Sequence, residues 1–184
     1  MSKISIALCT YNGEKYLAEQ LQSIFDQTIN PDEIVISDDG SSDDTLSIID
    51  SFKQKTSIPI RIFVHSDNLG VFKNFIYCIK QCEGEIVFTC DQDDYWMPDK
   101  IEKHLDMHVT HEDVDLVYSN AEVVLNTLDN VLYPLWEPRF ILDLEKGKSS
   151  FNSLVVKGQS IAGCTMSFKK SFFDKILPVP DRVY

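Results

Sequence analysis

An α/β fold with a mainly parallel sheet is what this sequence predicts, on three observations. Short apolar runs of strand length alternate with segments whose apolar residues recur every three to four positions. The early runs end in clusters of polar, turn-forming residues. At 184 residues and 43% hydrophobic, the chain can bury one sheet on both faces, the setting parallel strands require.

Lys3–Cys9 is a short apolar run stopped by polar residues and Gly13, which predicts a buried strand. From Glu14 to about Gln27, Leu17, Leu21, Ile24 and Phe25 fall on one face of a 3.6-residue period, so a helix follows, and Asn30-Pro31 ends it. Glu33–Ser37 is the second strand. DDGSSDDT then supplies a turn and cap residues for a helix over Thr45–Lys53. Ile60–Val64 is strand-like, Ser66–Gly70 a turn, and Val71–Cys82 carries Phe72, Phe75, Ile76 and Ile79 at helical spacing. Glu85–Cys90 is the fourth strand, and after DQDDYW, Pro98 suits the first turn of a helix through about His108. Strand-helix repetition of this kind indicates βαβ units.

Beyond Asp115 the rhythm changes. Strands are predicted at Leu116–Ser119, at Glu122–Leu125 and Val131–Tyr133 around an Asn/Asp turn, and at Cys164–Phe168. An irregular segment with Pro134, Trp136 and Pro138 intervenes, and helices are predicted over Phe151–Lys157 and Lys170–Ile176. This portion is expected to extend the same sheet within a single domain, 1–184, with no internal repeat.

The composition narrows the function. Seventeen basic against 29 acidic residues give a net charge of −12, a field that repels phosphate backbones and argues against nucleic acid as partner. Eight of the 29 acids sit in two short stretches, Asp38, Asp39, Asp43 and Asp44, then Asp91, Asp93, Asp94 and Asp99. Such clusters repel themselves unless a cation or backbone N–H groups sit among them. The five cysteines form no CxxC pair, and their odd number favours a reduced, cytoplasmic compartment. The N-terminal apolar run is too short for a signal or a membrane span.

Ligands of open parallel sheets bind beyond the carboxyl ends of the strands. Three polar clusters fall at such ends: Thr10-Tyr11-Asn12-Gly13, Asp38-Asp39-Gly40-Ser41 and Asp91-Gln92-Asp93-Asp94. Carboxylates are the hard oxygen ligands that Mg²⁺ or Mn²⁺ takes one or two at a time, leaving places for water and phosphate. In an extended loop Asp91 and Asp93 point to one side, which suits such an ion. No GxGxxG or Walker A loop is present, which argues against dinucleotide oxidoreductases and P-loop NTPases.

TYNGEKYLAEQLQSI, IVISDDGSSDDT, NLGVFKNF, GEIVFTCDQDDYW and IAGCTMSFKKSFF together resemble the ordered motifs of the family 2 inverting glycosyltransferases of GT-A fold. DQDDYW and GCTMSF look most like the rhamnosyltransferase-like, surface-polysaccharide branch. The resemblance implies a three-layer, Rossmann-like sandwich in which about 1–110 binds the donor and about 111–184 begins the acceptor side. It implies a UDP- or dTDP-linked sugar donor, Mg²⁺ or Mn²⁺, a saccharide or lipid-linked acceptor, and a cytoplasmic location peripheral to the inner face of the membrane. By motif, Thr10, Tyr11 and Asn12 line the nucleotide, Asp39 binds the base, and Asp38 supports that loop. Asp91 contacts the ribose or a metal-bound water, Asp93 ligates the metal, and Asp94 lies toward the sugar, with Asn68 and Asn74 in a further donor-side segment. The general base is implied beyond Tyr184, since Asp181 matches a preceding Pro-Asp position, and the chain is expected to stop short of it.

Plainer readings stand beside these. DDGSSDDT is also an ordinary turn and helix cap, and Asp94 and Asp99 also suit the start of the Pro98 helix. His104, His108 and His111 have the spacing of one helical face, read as solvated rather than as a zinc site because Leu105 stands where HExxH needs Glu. Cys78 and Cys82 read as core thiols; Trp96 orients the acidic loop or packs against the sugar, or only packs, and Trp136 lines an acceptor channel or anchors a loop. Two other functions compete: a Mg²⁺-dependent phosphoryl-transfer domain, and a truncated donor-binding module without turnover.

Overall fold

The computed structural model describes residues 2–135 and 162–177. The segment predicted as a helix over 151–157, Trp136, Pro138 and Asp181 lie outside the described residues. Four strands, β1 (Ile4–Thr10), β2 (Glu33–Asp38), β3 (Ile60–Val64) and β4 (Ile86–Asp91), alternate with α1 (Leu17–Phe25), α2 (Thr45–Lys53) and α3 (Val71–Gln81). After β4 come α4 (Lys100–Thr110), β5 (Leu116–Tyr118), β6 (Glu122–Val124), β7 (Val131–Pro134), a 3₁₀ turn (Gly163–Thr165), β8 (Met166–Lys169) and α5 (Lys170–Ile176).

The main sheet has the order β3-β2-β1-β4-β8-β5. Its first four strands are parallel, and β8 runs antiparallel between β4 and β5. The later chain therefore does extend the sheet, while β6 and β7 pair as a separate hairpin.

Alternation along the central strands sorts the core into two layers. Ile4, Ile6 and Leu8 of β1, Ile34 and Ile36 of β2, and Ile86, Phe88 and Cys90 of β4 face one way, onto Leu17, Leu21 and Ile24 of α1, Ile49 of α2 and Ile101 of α4. Ala7, Cys9, Val35 and Val87 face the other, onto Cys78 and Ile79 of α3, Cys82 just past its end, and Phe173 of α5. Both faces are covered, which is why these strands read as continuous apolar runs. The layering is the predicted three-layer sandwich, and Cys78 and Cys82 are the predicted core thiols.

Two local expectations are corrected. The first helix begins at Leu17 rather than Glu14, because the Gly13 carbonyl accepts the N–H groups of Tyr16 and Leu17 in a turn. His104 and His108 do not lie on a solvated face: they are 4% and 6% exposed. Both sit in the stripe Ile101, His104, Leu105, His108 that packs on the sheet, where their rings meet the hydroxyl of Ser167 on β8 at 2.8 and 3.0 Å. His111 is exposed beyond that stripe.

Candidate active site

In a parallel sheet the ends of adjacent strands are level, so the polar clusters that follow β1, β2 and β4 meet along one crest. Hydrogen bonds knit the three loops together. Asn12, in the left-handed region at φ 48°, donates its N–H to Ser41 Oγ at 2.8 Å and accepts from Ser42 N–H at 2.9 Å through Oδ1. Gly13 N–H donates to Thr45 Oγ1 at 2.7 Å, and Glu14 N–H to Asp43 Oδ2 at 3.0 Å. Gln92 grips the backbone of Tyr11 from both sides, accepting its N–H at 2.8 Å and donating to its carbonyl at 3.0 Å. A Cβ on Gly13 would collide with that Gln92 amide.

Asp38 is fully buried and saturated: Thr10 Oγ1, Ser41 Oγ and Ser41 N–H all donate to its carboxylate within 2.8 Å. These bonds tie the loop after β2 to the end of β1. Asp39 accepts the N–H groups of Leu69 and Gly70 at 2.7 and 2.9 Å, which ties the turn before α3, with Asn68, to the end of β2. Asn74 is not brought to the crest. It is 2% exposed under β2, with Nδ2 donating to the Ser37 carbonyl at 2.9 Å. Tyr11 and Asn12 are open to solvent.

The acidic loop after β4 is different in kind. Gln92 and Asp93 form a turn instead of an extended segment, so the two-residue spacing leaves Asp91 half-buried and Asp93 exposed. Asp91 and Asp94 converge instead, with Cys164, the three offering ligand atoms within 4.8 Å of one another. Burial, then the charges of Asp94 and Asp93, push the Asp91 carboxyl up to about 6. Burial also raises Asp94, as does Asp93, against a hydrogen bond from the Cys164 thiol and the cation of Lys100. One Asp94 oxygen, Oδ2, is buried without a hydrogen-bond partner. Negative charge that Lys100 only partly offsets, together with a bare hard oxygen donor on Asp94, fits a divalent cation.

Behind this loop Trp96 is buried against Phe88, so it packs and orients the loop from the core. Lys100 sits over its ring, 5.0 Å from the centroid. Gln92, Ser41, Thr45 and Cys164 also join this crest, though no motif singles them out; their place within the strand-end clusters is the signal for the first two.

The chain belongs to glycosyl transferase family 2, whose model matches residues 5–177. Among particular relatives, the dTDP-rhamnosyl transferase RfbG of Shigella flexneri is 32% identical over 168 residues, 89% of this chain and 54% of RfbG. The poly(ribitol-phosphate) β-N-acetylglucosaminyltransferase TarS of Staphylococcus aureus is 37% identical over 98 residues, 52% of this chain and 17% of TarS. Two solved structures share the GT-A fold. TarS 1–349 with UDP-GlcNAc superposes with a TM-score of 0.66 at 23% identity, covering 94% of this chain and 47% of that one. The mannosyltransferase PcManGT of Pyrobaculum calidifontis, with GDP-Man and Mn²⁺, gives 0.71 at 18%, covering 97% and 48%. The chain spans about half the length of the curated relatives it matches, such as 54% of RfbG.

Proposed function

We propose that this chain is the donor-binding portion of a metal-dependent glycosyltransferase. It transfers a sugar with inversion from a UDP- or dTDP-linked donor to a saccharide or lipid-linked acceptor in surface-polysaccharide synthesis. The observation that carries this reading is the crest itself: three strand-end loops laced into one surface, with an acidic turn left electrostatically uncompensated at its edge. A family 2 membership and relatives named for dTDP-rhamnosyl and N-acetylglucosaminyl transfer support the chemistry.

Within it, the Thr10–Asn12 loop lines the nucleotide, Tyr11 offering an exposed ring and Asn12 a loop held open by its left-handed backbone. Asp39 faces the base with Asn68 beside it, its carboxylate already positioned by two N–H groups and retaining further lone pairs. Asp38 holds that loop. Asp93 from the exposed side and Asp91 from the buried side hold Mg²⁺ or Mn²⁺, and Asp94 lies toward the sugar. The bound cation neutralises charge developing on the departing diphosphate. The proton-accepting role is assigned to no described residue. A cytoplasmic location is part of this proposal, supported by five cysteines that are all free thiols, and so is an association with the inner face of the membrane.

Calorimetric titration with UDP and dTDP tests the reading. Mn²⁺ is expected to strengthen nucleotide binding, and Asp93→Ala to remove that gain while leaving weak metal-free binding. Nucleotide affinity indifferent to Mn²⁺ would defeat it. Turnover of a nucleotide sugar by the 184-residue chain would separate a complete catalyst from a binding module.

A further inference from the structure

Cys164 is held in place with more care than a filler thiol requires. It sits in the 3₁₀ turn Gly163–Thr165, which Thr165 closes by donating N–H and Oγ1 to the Ala162 carbonyl at 3.0 and 2.7 Å. The turn is fastened from two sides: Thr89 Oγ1 of β4 donates to the Gly163 carbonyl, and Lys100 Nζ of α4 to the Cys164 carbonyl at 3.1 Å. Its sulfur then falls within 4.8 Å of ligand atoms of Asp91 and Asp94. The other four cysteines are buried; Cys164 is the half-buried one.

We propose that Cys164 Sγ is a further protein ligand of the divalent cation, added with the neighbouring Asp94 to the Asp91 and Asp93 of the reading above, and that it tunes the site toward thiol-tolerant cations such as Co²⁺ and Zn²⁺ over Mg²⁺. The inference rests on the metal-dependent reading above and adds to it the identity of one ligand and the selectivity that follows. Two observations converge on it. The donor set mixes hard carboxylate oxygens with one soft sulfur, and sulfur favours the later first-row ions, whereas Mg²⁺ favours an all-oxygen octahedron. Asp94 Oδ2 is a buried oxygen with no partner, so the Cys164 thiol that bonds this carboxylate does not complete it.

Binding replaces the S–H bond by an S–metal bond and releases the proton to water, with no change of oxidation state.

The test is a titration of the full chain with Co²⁺ in the presence of UDP, read by absorbance. A thiolate ligand gives an intense sulfur-to-cobalt charge-transfer band in the near ultraviolet that carboxylates do not give. The band is expected in the wild type and absent in Cys164→Ser, together with at least a tenfold loss of Co²⁺ and Zn²⁺ affinity and little change for Mg²⁺. Tenfold is roughly the low end of what removing an outer partner of a metal ligand costs. Should Cys164→Ser not fold, the alkylation rate of Cys164 in the wild type decides, since a coordinated sulfur is protected by Zn²⁺. Co²⁺ that binds without the band, or Zn²⁺ that leaves alkylation unchanged, overturns the sulfur ligand while the carboxylate site stands. Failure of every cation to bind overturns the metal reading with it.

Discussion

Glu33 at the start of β2 and Asp91 at the end of β4 are both carboxylates on central strands of the same sheet, and the molecule surrounds them in opposite ways. Glu33 accepts Ser5 Oγ at 2.5 Å, Glu83 N–H at 2.6 Å and Arg61 Nη2 and Nε at 2.6 and 3.1 Å. Burial alone would raise its carboxyl, but the hydrogen bonds from Ser5, Glu83 and Arg61 outweigh it and hold the group below its ordinary value. Asp91 has acidic neighbours instead of donors, and its carboxyl is raised to about 6. One end of the sheet thus closes its charge within the fold. The other leaves charge open, and an opening that costs stability is the place to expect a ligand.

The comparison is broken most forcefully at the closed end. Glu33→Gln removes the nearest charge that Arg61 pairs with, leaving it Glu83 at 3.6 Å and the Gln81 carbonyl, and it weakens the bonds from Ser5 and the Glu83 N–H that converge on this side chain. Breaking a buried ion pair from one side costs about 3 to 5 kcal/mol, and the 35% exposure of the Arg61 side chain puts the expected loss near the lower figure. Urea unfolding of the two proteins at pH 7 measures it. Because the folded carboxyl is depressed below 4.5, the wild-type advantage is present above that value and disappears as pH falls through the folded pKa. A variant within about 0.5 kcal/mol of wild type would mean that the closed end is no better compensated than the open one.

How much of this asymmetry can be read from the sequence depends on the residue. The strands β1, β2 and β4 are legible because both their faces are buried, and their apolar runs need no partner to be recognised. The acidic strand ends are legible for the same reason, as abrupt stops to those runs. Strand direction is not carried by alternation, so nothing in MSFK shows that β8 runs antiparallel beside β4. Nor does sequence show which polar group another will meet: Gln92 and Tyr11 are 81 residues apart, and Glu33 and Arg61 are 28. The Asp91/Asp93 pairing fails to form one side of the loop because a turn at Gln92-Asp93 intervenes, and Cys164 reaches the site only through the return of the chain to β4.

Between the two ends, the seam of α4 and β8 treats titratable groups in a third way, by keeping them neutral. His104 Nδ1 and His108 Nε2 share the Ser167 hydroxyl, while His104 Nε2 and His108 Nδ1 are buried without a hydrogen-bond partner. Burial first, then Lys100 and His108, lower His104 to about 3. His108 is lowered by burial and Lys169, with Asp115 and nearby carbonyls opposing. The unfolded chain therefore binds protons that the fold refuses: stability is full above about 6.5 and falls as pH drops toward 3. By pH 5 the His104 contribution alone amounts to about 2 kcal/mol lost. His104→Gln should weaken the protein at pH 7.5 yet flatten the decline between pH 7.5 and 5, read from urea midpoints. Equal slopes in the two proteins would show that His104 takes up its proton in the fold.

The smallest effect has the opposite sign and sharpens the comparison most. For a carboxyl whose folded pKa is raised, the favourable contribution is present below 3.8 and is lost as pH rises through about 6, so at pH 7 ionised Asp91 works against folding. A rise of this size corresponds to a few kcal/mol if taken at face value. Water at a half-buried site and relaxation of the turn reduce the net cost to about 1 kcal/mol. Asp91→Asn removes it while keeping the shape of the side chain. The variant should therefore melt higher than wild type at pH 7 and match it near pH 4, where wild-type Asp91 is protonated. Mn²⁺ should raise the melting temperature of the wild type and narrow this gap, because the cation supplies the compensation that the fold withholds. An Asp91→Asn protein that melts lower at pH 7 would reveal a donor network around Asp91 equal to that of Glu33. The open end of the sheet would then owe its acidity to packing, and the case for a cation there would rest on Asp93 and Asp94 alone.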